Sequence, residues 1–151
     1  MPHVTLSPLV PERFDDFIAL VNALADYESL PRPEPDAVAR LRNDAFGERR
    51  RFEAVLADLD GHAAGYAIHF ETYSSFLARP TIYLEDLFVL DDARRHGVGS
   101  MLFDHVAGLG RTRGCGRMEW QVLDWNQLAR DFYAKRGATW MQEWLLYRIV
   151  Y

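Results

Sequence analysis

The chain has 151 residues, 49% hydrophobic and 13% aromatic, which fits one domain around a single core and excludes intrinsic disorder. No apolar run approaches ~18 residues, so no membrane span is expected, and a net charge of −5 argues against a nucleic-acid binder. Residues 1–90 hold 15 acidic against 8 basic side chains and residues 91–151 hold 7 against 9, a division that suits a protein joining a cationic partner to an anionic one.

The opening Met1-Pro2-His3-Val4-Thr5-Leu6 has no basic stretch followed by an apolar one, so no signal peptide is expected. Cys115 is the only cysteine and cannot form an internal disulfide, which points to a reducing, cytoplasmic setting. Val4 and Leu6 mark a short strand within residues 3–8. Pro11 suits a first helical position, and Phe14, Ile18, Val21 and Leu24 recur at helical spacing as far as about Tyr27. Pro31, Pro33 and Pro35 form a stiff connector. A second helix follows, with Asp36 as its cap, Val38, Leu41 and Ala45 on its apolar face, and Gly47 at its end.

Residues 52–57 read as a strand, Asp60-Gly61 as a hairpin turn, and His62 to Tyr73 as the returning strand. A loop over 74–80 leads to the strand Thr81 to Leu90. Gly97 to Arg113 reads as a helix, with Val98, Met101, Leu102, His105, Val106 and Leu109 at helical spacing and Gly114 and Gly116 breaking it. Met118 to Leu123 is an expected strand, Gln127 to Arg136 a helix stopped by Gly137, and Trp144 to Val150 a terminal strand. The order places a βαβ unit with parallel strands and a right-handed crossover on residues 81–123. The fold class is therefore α/β (α+β): a mixed sheet with helices on its faces, in one domain over 1–151.

Read with a period of two, Ile82, Leu84, Asp86, Phe88 and Leu90 share one face of the strand, and Tyr83, Glu85, Leu87 and Val89 share the other. Glu85 and Asp86 then put one carboxylate on each side of a strand whose two faces are otherwise apolar and covered. Such charges need a partner or a raised pKa. Directly afterwards, Arg94-Arg95-His96-Gly97-Val98-Gly99-Ser100 opens the next helix. Its free first-turn N–H groups, the helix dipole and two arginines suit a pyrophosphate. The dinucleotide pattern Gly-x-Gly-x-x-Gly fails because position 102 is Leu, and a P-loop fails because the only lysine is Lys135. The histidines show no metal-ligand spacing, so no metal is expected. Cys115, between two glycines, reads as structural.

Arg94-x-x-Gly97-x-Gly99 after a strand resembles the pyrophosphate loop of the GCN5-related N-acetyltransferases. The segments Tyr83 to Val89, Arg94 to Ser100, Trp125-Asn126 and Phe132 to Ala138, with Tyr27-Glu28, resemble the diamine (spermidine/spermine-type) branch. The resemblance implies acetyl-CoA as co-substrate. The backbone of Leu87, Phe88 and Val89 would hold its acetyl and pantetheine end beside a bulge, with N–H groups also free to stabilise an oxyanion. Arg95, His96, Gly97, Val98, Gly99 and Ser100 would wrap the pyrophosphate, with Arg94 leading the motif. Asn126, Gln127, Leu128 and Ala129 would line the coenzyme's other side, and Tyr133 would sit beside its sulfur.

In that chemistry a protonated amine must first lose a proton, a role for Glu85 directly or through water, and the leaving thiolate must gain one, a role for Tyr133. Tyr27, Glu28, Glu85, Asp86, Glu119, Trp120, Gln121 and Trp125 match the family's amine site, where carboxylates and aromatic faces attract alkylammonium groups. Ser29-Leu30-Pro31-Arg32 replaces the family's acidic run and Arg79 lies near the entrance, so a lysine-like amine stands beside a polyamine as acceptor. Relatives form homodimers, and the resemblance extends that expectation to this chain. Two other classes remain open: a non-catalytic acyl-CoA sensor, and a protein or peptide N-acetyltransferase.

Overall fold

The computed structural model describes every residue from Met1 to Tyr151. The chain divides into two compact units, Met1–Trp120 and Gln121–Tyr151. In chain order the first unit contains β1 (Val4–Pro8), a 3-10 turn (Pro11–Arg13), α1 (Phe14–Tyr27), α2 (Pro35–Phe46), β2 (Glu53–Leu59), β3 (His62–Ser74), β4 (Arg79–Val89), a second 3-10 turn (Asp91–Ala93), α3 (Val98–Thr112) and β5 (Arg117–Trp120). The second unit contains α4 (Gln127–Lys135). The strands form one sheet in the order β1-β2-β3-β4-β5, antiparallel except for the β4–β5 pair, which is parallel across the α3 crossover.

Most of the expected elements form, with instructive shifts at their ends. Pro11 opens the 3-10 turn, and α1 proper begins at Phe14. Within that turn Arg13 donates to both carboxylate oxygens of Asp58 at 2.8 Å, tying the helix entry to β2. The cap of α2 is Glu34, with Pro35 at the first helical position, so Asp36 lies inside the first turn, where its charge complements the helix dipole. Asp60 and Gly61 both have positive φ (52° and 83°), the hairpin geometry that matches strand twist.

Two layers of side chains cover the sheet. On one face Phe14, Phe17 and Leu20 of α1 bury against Leu56, Tyr66, Ile68 and Phe88. On the other lies α3, with Val98 beside Gly65 of β3 and Gly110 against Ile82 of β4. That arrangement contradicts the simple alternation expected for β4. The β3–β4 register slips between Ile68 and His69, so Ile68 pairs with Asp86 and His69 with Leu84, leaving Glu85 as the extra residue of a bulge. A bulge shifts the side-chain period by one. Ile82 therefore faces α3, whereas Phe88 and Leu90 pack with the α1 cluster. Glu85 is exposed instead of buried on a covered face, and Asp86 is partly buried.

The second unit begins with a connecting segment in which the Asn126 N–H donates to Leu123 O at 3.0 Å. The Asn126 side-chain oxygen then accepts the Ala129 N–H at 3.2 Å, capping α4. Arg136 follows the helix and Gly137 takes φ 80°. The expected strand over Trp144 to Val150 forms no ladder within this unit, because the unit holds no second strand to pair with.

Candidate functional site

Past the bulge, β4 keeps β3 on one side and loses β5 on the other, since the β4–β5 pairing ends at Leu84–Trp120. The Leu90 N–H donates to Ala64 O at 2.8 Å. In an antiparallel pair such bonds recur at every second residue, so Leu90, Phe88 and Asp86 direct their main-chain groups at β3. Leu87 and Val89 point theirs the opposite way, along an edge where β5 no longer pairs. Of the three residues expected to offer backbone groups, Phe88 spends its own on the ladder, whereas the N–H groups of Leu87 and Val89 face the other edge, on which Val89 O accepts from Arg94. Gly65 permits the close approach of β3 here, because a Cβ on it would stand 2.6 Å from the Phe88 carbonyl oxygen.

The loop that follows ends at a helix mouth rich in N–H donors. The first bond of α3 runs from the Met101 N–H to Gly97 O at 3.0 Å, so the N–H groups of Val98, Gly99 and Ser100 have no acceptor inside the helix. No side chain caps this end. Arg95 and Gly97 both take left-handed backbone (φ 69° and 81°), winding the chain into a turn of the type that concentrates N–H groups on an anion. Arg95 and His96 are exposed beside it.

Arg94 departs from its expected place on the anion. Its guanidinium lies 5.0 Å from the Tyr27 ring centroid and 5.9 Å from that of Phe88. Its Nε donates to Val89 O at 3.1 Å and its Nη1 to Asp91 Oδ1, also at 3.1 Å. The side chain thus braces the end of α1 against the end of β4.

A cluster of carboxylates occupies the α1 face of the sheet at the bulge. Tyr66, wholly buried and edge-on to Phe17, donates its hydroxyl to Asp86 Oδ2 at 2.9 Å. Burial, together with the neighbouring charges of Glu85 and Glu28, pushes the Asp86 carboxyl up to about 6 despite that hydrogen bond. Burial also raises the Glu28 carboxyl, and burial with the Asp86 charge raises the Tyr66 phenol far above its ordinary value. Glu119 pairs in register with Tyr83, whose phenol is raised by burial and by the charges of Glu85 and Glu119. None of the ion pairs in the structure uses Glu28, Glu85 or Asp86.

The aromatic residues expected at the amine divide. Tyr27 lies with Phe88 on this face, ring centroids 6.0 Å apart. Trp120 instead sets its ring at 90° and 5.3 Å to Phe103 of α3, the helix on the opposite face. In the second unit, Gln121 and Trp125 lie in the segment before α4. Asn126, Gln127, Leu128 and Ala129 make its cap and first turn, and Tyr133 lies further along the helix with its ring 5.6 Å from Phe132. Tyr66 was not among the expected site residues. A tyrosine two residues from Ile68, on the core side of a strand, needs a hydroxyl partner, and that was the available signal.

A strand that opens its edge directly before a glycine-led, uncapped helix is accompanied by a family match: residues 17–138 fit the model of the acetyltransferase (GNAT) family. The chain belongs to that family. Among GNAT-type relatives, thialysine N-epsilon-acetyltransferase of Bos taurus is 32% identical over 136 residues, 85% of this chain and 79% of that protein. An L-ornithine N5-acetyltransferase of Arabidopsis thaliana is 43% identical over 86 residues, 57% of this chain and 38% of that protein. Among solved structures, a probable acetyltransferase superposes with a TM-score of 0.84 at 20% identity, covering 97% of each chain. The aminoglycoside N-acetyltransferase AAC(6')-Iy in complex with CoA gives 0.79 at 21% identity, covering 99% of this chain and 96% of that one. The five-stranded sheet and its crossover are thus a GNAT fold, and the chain is an acetyl-CoA-dependent N-acetyltransferase.

Proposed function

We propose that this acetyltransferase acylates a primary amine of a small molecule carrying a second polar or cationic group, in the class of lysine-like and ornithine-like amino acids and short diamines. The observation that carries the reading is the set Glu28, Glu85 and Asp86, three carboxylates around one buried hydroxyl with no cation of the protein paired to them. Like charges held together raise one another's cost of ionisation, and an ammonium ligand relieves it. The names of the thialysine and ornithine acetyltransferase relatives support the same acceptor class.

The chain's own groups fit acetyl-CoA. Val98, Gly99 and Ser100 offer orphan N–H donors for a pyrophosphate, with Arg95, His96 and Gly97 completing the turn. The N–H groups of Leu87 and Val89 point along the open edge of β4 toward an extended, amide-bearing arm. When bound, acetyl-CoA supplies an acetyl thioester whose carbonyl carbon accepts the amine nitrogen as the C–S bond breaks.

Glu85, exposed at the bulge, takes the amine proton directly or through water. The N–H of Leu87 or Val89 stabilises the oxygen on which charge develops. Tyr133 returns a proton to the departing sulfur. Glu28 and Asp86 hold the substrate's remaining charge, and Tyr27 offers it an aromatic face.

The test is a panel of thialysine, lysine, ornithine, diamines and polyamines with acetyl-CoA, followed by release of free thiol. Turnover concentrated on acceptors with two polar ends is the expected result. Equal rates on simple monoamines, or no amine-dependent thiol release, would overturn the assignment.

A further inference from the structure

We propose that Tyr66 is a positioning residue for the amine: its buried hydroxyl commits Oδ2 of Asp86 and so orients that carboxylate to accept the substrate's cation with Oδ1. The inference rests on the amine-acetyltransferase reading of the carboxylate cluster and adds to it a residue from a neighbouring strand that makes no ion pair.

The geometry requires such a brace. Asp86 follows the extra residue of a bulge, where the ladder is irregular and the backbone fixes side-chain direction less firmly. The charged groups bearing on it are Glu28 from the end of α1 and Glu85 from its own strand, both repelling it. No arginine or lysine holds it. The Tyr66 hydroxyl, 2.9 Å away, is the donor that does. Tyr66 is itself immobile: it is 0% exposed, and its ring meets Phe17 edge-on with centroids 5.5 Å apart. A phenol in that setting has no water to turn to, so its hydrogen bond is directed at one place. The hydrogen bond also favours the charged form of Asp86, opposing burial and the two neighbouring carboxylates.

Tyr66→Phe keeps the ring and removes only the donor. We expect KM for the amine to rise about tenfold with kcat altered less than threefold and acetyl-CoA affinity, read by calorimetry, unchanged. The acid limb of kcat/KM for the amine should move to higher pH, because Asp86 loses the contact that favours its ionised form. Asp86→Asn, measured alongside, should raise the amine KM and remove the part of that limb that moves in Tyr66→Phe.

If Asp86→Asn raises KM but Tyr66→Phe leaves both KM and the limb in place, the role of Tyr66 is refuted while the site stands. If Asp86→Asn leaves KM unchanged, the amine-site reading itself fails. Carbon-13 titration of Asp86 gives a second readout: the carboxyl should titrate at lower pH in the natural protein than in Tyr66→Phe, and identical titrations in the two would also overturn the proposal.

Discussion

Replacing Asp86 with asparagine should make the protein more stable and a poorer enzyme. In the unfolded chain this carboxyl ionises near its usual value of about 4; in the folded protein it ionises at about 6. Between those values the folded state binds more protons than the unfolded state, so stability falls as pH rises through the window, and the whole penalty is in force above it. A displacement of that size corresponds to at most about 3 kcal/mol. Asparagine fills the same space, still accepts the Tyr66 hydroxyl and carries no charge.

The variant should therefore match the natural protein near pH 4 and exceed it by about 1–3 kcal/mol at pH 7.5, a gain of several degrees in Tm for a chain of this size. Urea unfolding of both proteins at pH 4.5, 6 and 7.5 measures the difference, and comparison of the pair cancels the other carboxylates. A gap that does not change with pH, or a variant less stable at pH 7.5, would refute the claim that an ionised, strained carboxylate is held here. The accompanying rise in amine KM would make this site a case in which binding is maintained at the expense of stability.

Glu85→Gln and Tyr133→Phe should each lower kcat by ~100-fold or more with acetyl-CoA binding retained; unchanged turnover in both would remove the proposed base and acid. Gly97→Ala forces a side chain into left-handed backbone with open space around it, so the loss of about 1 kcal/mol is conformational and should appear as weaker acetyl-CoA binding by calorimetry. Gly65→Ala drives a Cβ to 2.6 Å from the Phe88 carbonyl and should destabilise the fold by about 1–3 kcal/mol. It should also displace Leu87 and Val89 and weaken coenzyme binding. A urea midpoint unchanged by this substitution would contradict the close packing of β3 on β4.

The sequence by itself determined whatever rests on neighbours along the chain. The 3.6-residue spacing of apolar positions in α1 and α3, the Asp60-Gly61 hairpin, and the glycine-led mouth of α3 are local preferences, and they appear where the residues announce them. So does the approach of a strand to that mouth, which is why the strand, turn and helix start of residues 81–100 were legible.

The tertiary structure decided everything that depends on which strand lies alongside. Alternation along Thr81–Leu90 put Ile82 and Phe88 on one face, but the bulge at Glu85 exists only in the pairing with β3, and it sends them to opposite sides of the sheet. The same pairing turns the N–H groups of Leu87 and Val89 away from β3 and commits those of Phe88 to it. It brings Tyr66 to Asp86 across 20 residues of sequence, and it is accompanied by the placement of the Arg94 guanidinium over Tyr27. Periodicity reports how a strand would alternate if nothing interrupted it; register is a property of two strands, and no single segment encodes it.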